Sequence, residues 1–249
     1  MTSKESVHSF ALPLVARTMD SLSMKHIQDA KKQIVSIVAL CVLTIFLSIV
    51  AIGQGSSSSL DMWKTAKIIF GIDEPDKLQS NILWELRFPR ILMAIIGGIA
   101  LATAGALMQG CLGNPLVSPL TLGVSSGAVL GSSLAIVVGF SVVNIPELAI
   151  VANAFFFSLI VVFIIIKLGD MKSISPESYI LIGIAITFIS GAIVSILQYF
   201  ATDEQLSQLA HWSFGSLSRP NLVNVLWISV AVIGLLPVSY THLTLPTKA

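Results

Sequence analysis

Charge is what this 249-residue sequence has least of: 14 Lys plus Arg and 13 Asp plus Glu make up 11% of the chain, for a formal net charge of +1. A soluble domain carries about 25% charged residues, so too few polar side chains are present to cover a water-facing surface of this size. With 55% hydrophobic residues and a mean hydropathy of +0.89, the composition excludes an ordinary cytosolic enzyme and a disordered chain. The missing basic stripe excludes a nucleic-acid binder. Cysteine is scarce too. Cys41 lies inside an apolar run and Cys111 in a short loop, neither at metal-ligand spacing, and two cysteines make no disulfide framework. His8, His26, His211 and His242 are scattered, with no HExxH and no pair at i, i+4, and read as solvated or interfacial residues. No GxxxxGK[ST] occurs, so nothing here cradles ATP phosphates.

What the sequence does hold is long apolar runs. Crossing the hydrocarbon core takes about 20 residues of helix. Ile34 to Ile52 is the first such run. The second is Ile91 to Leu107, extended at its start by Phe88-Pro89. The third spans Leu120 to Phe140, the fourth Ile145 to Ile166 and the fifth Tyr179 to Phe200, and a shorter sixth starts near Leu222 and reaches Pro237. None shows strand alternation, and backbone in lipid must satisfy its own hydrogen bonds, so the predicted fold class is an all-α polytopic membrane protein with about six transmembrane helices. Apart from Glu147, at the edge of the fourth run, no Asp, Glu, Lys or Arg falls inside these runs. Carriers coupled to protons or sodium usually keep such groups as relays or ion ligands, so their scarcity points away from that class. Residues 1–33 are polar and hold Lys4, Arg17, Lys25, Lys31 and Lys32. They are too long and mixed for the start of a cleaved signal peptide, and their charge places the N-terminus in the cytoplasm.

Between the second and third runs the sequence becomes specific. Arg87 and Arg90 flank Phe88-Pro89 at the outer end of the second span. At i, i+3 they share a helix face, which serves either to anchor the helix by snorkelling or to dock carboxylates of an external partner. Gly98, Ala102 and Gly105 share one face of span two, and Gly123, Gly127 and Gly131 form a GxxxGxxxG at the start of span three. Such faces let helices approach closely in lipid and read first as packing. The connection Gln109–Leu122 is uncharged and rich in helix breakers, including Gly113, Pro115 and Pro119. It reads either as a tight turn or as a segment lining or plugging a pathway. Leu60 to Gly71 has the pattern of a short amphipathic helix on the outer surface, with Trp63 at headgroup level. In the 201–221 loop, Asp203, Glu204, His211 and Trp212 read as interfacial anchors, and Arg219 as a possible third docking contact.

RFPR, a small-residue helix ending AGALMQG, and NPLVSPLTLGVSSGA together resemble the permease subunit of binding-protein-dependent ABC importers of the FecCD type, which move iron–siderophores, haem and vitamin B12. SISPESYILIGIAI and HWSFGSLSR extend the likeness, which covers roughly residues 34–236. The resemblance implies a ten-helix subunit working as a homodimer or with a paired homologue. It also implies ATP and magnesium used by separate ATP-binding subunits, an extracytoplasmic substrate-binding protein, no cofactor on this chain, and a place in the cytoplasmic (inner) membrane of a bacterium. On the same footing Arg87 and Arg90 become the docking pair for the binding protein. Asn114, Pro115 and Leu116 become a cytoplasmic gate, with Ser173 and Ser175 as a second gate strip. The expected organisation is a cytoplasmic segment 1–33, an incomplete permease domain 34–236, and a tail 237–249 whose PVSYTHLTLPTKA resembles a translated adaptor more than a native terminus. The competing expectations are an ATPase-independent secondary carrier or channel and an inactive truncated fragment.

Overall fold

The computed structural model describes residues 4–54, 60–169, 175–218 and 220–244, with the side chains of 4–27 and a few later residues excepted. Every regular element among the described residues is helical. The chain divides into two compact units, Met1–Leu83 and Trp84–Ala249.

In the first unit, α1 runs from Lys4 to Gly53, and its stretch Gln28–Gly53 is long and apolar enough to cross a membrane. From Ile34 on it carries no charge, and two of its hydroxyls turn back on the helix: Thr44 Oγ1 donates to the Leu40 carbonyl at 2.8 Å and Ser48 Oγ to that of Thr44 at 2.7 Å. The apolar side chains from Ile34 to Ile49 are mostly exposed, as suits a helix solvated by lipid rather than by protein. Helix α2 (Met62–Ile69) starts at Asp61, whose carboxylate caps the helix by accepting from the Lys64 amide at 2.8 Å. Its Ile68 joins Leu60 and Leu83 in a small core closed by Ile52 and Ile82. Helix α3 (Lys77–Asn81) opens with a reciprocal capping box between Asp76 and Gln79.

The second unit starts within a π-helical segment, Ile82–Arg87, which leads into α4 (Phe88–Leu112). Pro89 stands where the π-helical segment passes into α4, inside the continuous run, so its missing N–H falls at the point where the helical hydrogen-bond pattern already changes. The continuous helical run Lys77–Leu112 is the second candidate span. After α4 come α5 (Val124–Ser133), a second π-helical segment (Leu134–Val138), α6 (Pro146–Gly169), α7 (Pro176–Phe200), α8 (Asp203–Phe214) and α9 (Leu222–Thr244). Helix α5 packs against α6 and α7, and α4 packs against α9. Among the described residues five helices are long and apolar enough to cross a membrane, against about six expected.

The third run accounts for the difference. Expected from Leu120 to Phe140, it is helical only over Val124–Val138. Gly123 enters the helix at φ +76° and Gly139 leaves it at φ +73°, left-handed geometry that side chains disfavour. Fifteen residues reach about 22 Å at 1.5 Å each, short of the roughly 30 Å hydrocarbon core. The remaining depth falls to irregular backbone, which must be buried in protein or line a cavity. Asn153 of α6, fully buried, meets that need at one end. Its Nδ2 donates to the carbonyls of Phe140 at 2.6 Å and Gly131 at 3.3 Å, and its Oδ1 accepts from the Val142 amide at 2.9 Å.

Two further expectations change. The 201–221 stretch is not simply a loop. Thr202 and Gln205 form a capping box that starts α8. Helix α9 continues through Pro237 to Thr244, past the expected end of the sixth run, with Ser239 Oγ donating to the Leu235 carbonyl at 2.9 Å beside the proline. Neighbouring hydroxyls are a common way to accommodate an interior proline in apolar helices.

Asn153→Leu keeps the branching and heavy-atom count but removes the Asn153 partner of the Phe140 carbonyl and the Val142 amide, while the Gly131 carbonyl keeps its bond from the Leu134 amide. It is expected to destabilise the protein by about 2–4 kcal/mol, within the range for unsatisfied buried polar groups. Thermal unfolding in detergent checks this against Ser195→Ala, an exposed site expected to leave the midpoint unchanged.

Candidate functional site

The uncharged connection after α4 is an ordered structure. Gly113 caps α4 at φ +58°, its amide reaching the Gln109 carbonyl. Asn114 Oδ1 then accepts from the Leu116 amide at 2.9 Å, an Asx-type turn that points the chain back on itself. Ser118 and Thr121 bond reciprocally: the Ser118 amide donates to Thr121 Oγ1 at 2.8 Å and the Thr121 amide to Ser118 Oγ at 3.2 Å. Val117 and Leu122 anchor the loop, both buried with Val161 and Ile165 in a core joined by Tyr179, Ile180 and Ile182 of α7. Leu116 and Leu120 remain exposed, at 73% and 72%. A rigid, neutral hairpin thus presents leucines outward while its base is locked to α6 and α7.

The glycine ladder of α5 supplies the lock. A Cβ on Gly127 would lie 2.6 Å from Val161 Cγ2 and 2.9 Å from the Phe157 carbonyl oxygen, and one on Gly131 would overlap the Asn153 carbonyl. A Cβ on Gly123 would stand 2.9 Å from the Gly183 carbonyl oxygen, and one on Gly183 of α7 would overlap the Thr121 carbonyl. The other expected stripe behaves differently. Gly98 and Gly105 meet nothing within 4 Å among the described residues and Ala102 is exposed. The face of α4 toward α9 is the opposite one, with Ala100, Thr103, Ala104 and Leu107.

Arg87 and Arg90 are separated by environment. Arg87 is 8% exposed, whereas Arg90 is exposed. The π-helical segment ends at Arg87, and α4 carries Arg90 in its first turn. Beneath them Trp84 and Phe88 stack edge to face at 5.3 Å. Ser175 precedes α7, exposed, with its Oγ 3.2 Å from Ser178 Oγ. Ser173 and Arg219 lie outside the described residues.

Sequence reasoning missed the role of α8. Gln205 Nε2 donates to the carbonyls of Ile136 at 3.1 Å and Val137 at 3.3 Å, which the π geometry turns away from ordinary helical pairing. Farther along α8, His211, Trp212 and Ser213, with Gly215 and Ser216, face Ser125, Ala128 and Val129 across a recess of about 470 Å³. Helix α8 therefore runs back alongside α5 from its far end toward its start. His211 and Trp212, expected as interfacial anchors, line this recess. The available signal was α5 itself: Ser125, Ala128 and Val129 form a small, partly hydroxylated face distinct from the glycine face. Such a wall is neutral and offers hydrogen bonds without fixed charge, which suits transient contact with a bulky polar solute more than tight retention. Among the described residues no group of three or more His, Cys, Asp or Glu is placed to hold a metal ion.

Comparison with known proteins bears on this arrangement. The FecCD transport family matches residues 40–244. An ABC transporter permease protein of Methanocaldococcus jannaschii is 36% identical over 210 residues, covering 81% of this chain and 59% of that protein. The hemin transport system permease protein of Yersinia pestis is 37% identical over 180 residues (71% and 52%), and the molybdate import system permease protein of Haemophilus influenzae 33% over 198 residues (79% and 55%). A solved metal-chelate type ABC transporter in an inward-facing conformation superposes with a TM-score of 0.65 at 28% identity, covering 85% of this chain and 64% of that one. The chain spans just over half the length of these curated relatives.

Two outcomes follow. Gly127→Leu is expected to cost about 1–3 kcal/mol through forced separation of α5 and α6, while Gly98→Leu leaves the unfolding midpoint of the isolated chain unchanged, as read by thermal unfolding in detergent. In a Cys41→Ser, Cys111→Ser background, Ser213→Cys should react with a water-soluble maleimide. Adding Ala128→Trp across the recess should slow that reaction several-fold.

Proposed function

Because the chain belongs to the FecCD transport family, we propose that it is the membrane-spanning permease part of a binding-protein-dependent ABC importer for a metal-chelate substrate, an iron–siderophore, haem or cobalamin complex. The observation that carries this reading is the pairing of an ordered, uncharged hairpin, Gly113–Gly123, with a neutral recess between α5 and α8, on helices that cross the membrane without fixed charge. A conformational pump needs walls that bind its cargo weakly and a closure that moves as a rigid piece. Energy then enters from outside the chain, through two ATP-binding subunits that hydrolyse MgATP. The chain itself performs no catalysis and carries no cofactor.

In this reading the chain is a multi-pass protein of the bacterial cytoplasmic membrane, with the N-terminus in the cytoplasm on the strength of its lysines. The outer end of α4 then presents Arg90, with Arg87 behind it, to acidic residues of an extracytoplasmic binding protein. The inner end carries Asn114, Pro115 and Leu116 as one side of the gate, with Ser175 and Ser173 on the other. A second permease copy or homologue supplies the facing half of the passage. The open Gly98–Ala102–Gly105 face is left for helices outside this chain.

Arg90→Glu in the intact transporter is expected to abolish stimulation of ATP hydrolysis by the binding protein while leaving basal hydrolysis in place. Charge reversal at Arg87 should in addition lower the unfolding midpoint, because that side chain is buried. Uptake into vesicles should stop with vanadate and persist when ion gradients are collapsed. Unchanged stimulation in the Arg87, Arg90 double variant would remove the docking role, and ionophore-sensitive uptake would favour a secondary carrier.

A further inference from the structure

Helix α2 has two apolar sides, and only one of them is covered by protein. At 100° per residue, Thr65 and Ile68 point one way, and both are buried against the small core with Leu60 and Leu83. Trp63 and Phe70 point the other way and are 72% and 79% exposed, while Met62 and Ile69 lie on the edge between the two sides at 47% and 48%, with Ile72 following at 72%. Five large apolar side chains within eleven residues form more contiguous exposed surface than a watery face ordinarily keeps.

The position of the helix says what covers that side. Gly53, the last residue of α1, lies so close to α2 that a Cβ there would stand 2.7 Å from Met62 Cγ. The buried side of α2 closes on Ile52, in the last turn of the Gln28–Gly53 span, and on Leu83. The helix is therefore fixed beside the point where a lipid-solvated helix leaves the membrane. The next candidate span lies within the helical run Lys77–Leu112, so the 54–76 segment joins two candidate spans on one side of the membrane. Charge is arranged to match. Lys64 and Lys67 flank the apolar side, with Lys67 Nζ 5.9 Å from the Trp63 ring centre, while Asp73, Glu74 and Asp76 stand beyond the helix on the exposed turn. Aromatic rings beside lysines are the composition of the headgroup layer.

We propose that α2 is a membrane-surface anchor. Met62, Trp63, Ile69 and Phe70 sit in the headgroup–acyl boundary of the bilayer, Lys64 and Lys67 reach lipid phosphates, and the buried side holds the exit of α1 in place. The inference rests on reading Gln28–Gly53 as a membrane span, and the experiment separates the two.

Nitroxide labels are placed one at a time through Phe70→Cys, Trp63→Cys, Asp73→Cys and, within α1, Phe46→Cys, in a Cys41→Ser, Cys111→Ser chain in phosphatidylcholine–phosphatidylglycerol nanodiscs. Collision with oxygen, which partitions into lipid, is compared with collision with a water-soluble nickel chelate. The expected order of oxygen-to-nickel ratio is Phe46 highest, Phe70 and Trp63 between, and Asp73 lowest. If Phe46 reads as lipid but Phe70 and Trp63 match Asp73, the anchor is overturned and the span stands. Shielding of Phe70 and Trp63 from both reagents would mean that protein, a second copy or a partner, covers this side, and overturns it equally. A water-like Phe46 removes the span and the anchor together.

Discussion

Contact between backbones, with no side chain in between, is the constraint on which the second unit is built. Gly127 and Gly131 of α5 press on the Phe157 and Asn153 carbonyls of α6, and Gly183 of α7 presses on the Thr121 carbonyl. In lipid, apolar side chains gain nothing by leaving their solvent for one another, so close approach through small residues has to supply the association. Once the three helices are seated this way, the hairpin between α4 and α5 has a floor, since Val117 and Leu122 drop into the space that α6 and α7 leave.

The same seating explains why α5 can be short. A helix that stops before the membrane does exposes polar backbone at a depth where water is scarce, and that backbone must find partners within the protein. Asn153 answers for residues 131–142 and Gln205 for the π-turned carbonyls of Ile136 and Val137. Among the described residues, no buried side-chain polar atom lacks a hydrogen-bond partner. Two amides on neighbouring helices thus permit an irregular end, and the irregular end in turn positions α8 against the serine face of α5.

Much of this was legible in the residues. Apolar runs gave four of the long helices closely, because length and absence of charge are what a bilayer selects for. The GxxxGxxxG of α5 pointed to its packing face, and the amphipathic pattern of Leu60 to Gly71 pointed to α2. Hydropathy could not show where α5 begins and ends, since Leu120–Phe140 is apolar throughout and the boundaries depend on the left-handed Gly123 and Gly139. Nor could it reveal α8, a polar dozen residues that matter by lying along α5. Nor could periodicity show that Arg87 is buried while Arg90 is exposed, because that difference depends on how the helical run before Phe88 packs.

The link from Gln205 to the carbonyls of Ile136 and Val137 has a mechanical consequence. Both acceptors belong to the one π-helical segment of this helix column, so α8 is tied by its first turn to the far end of α5, is held midway by the buried Leu209, and meets Ser125 and Val129 at its other end. The recess therefore lies at the end of α8 remote from this tie, where small and hydroxyl-bearing side chains keep the two helices apart without a hydrogen bond among the described residues to close them.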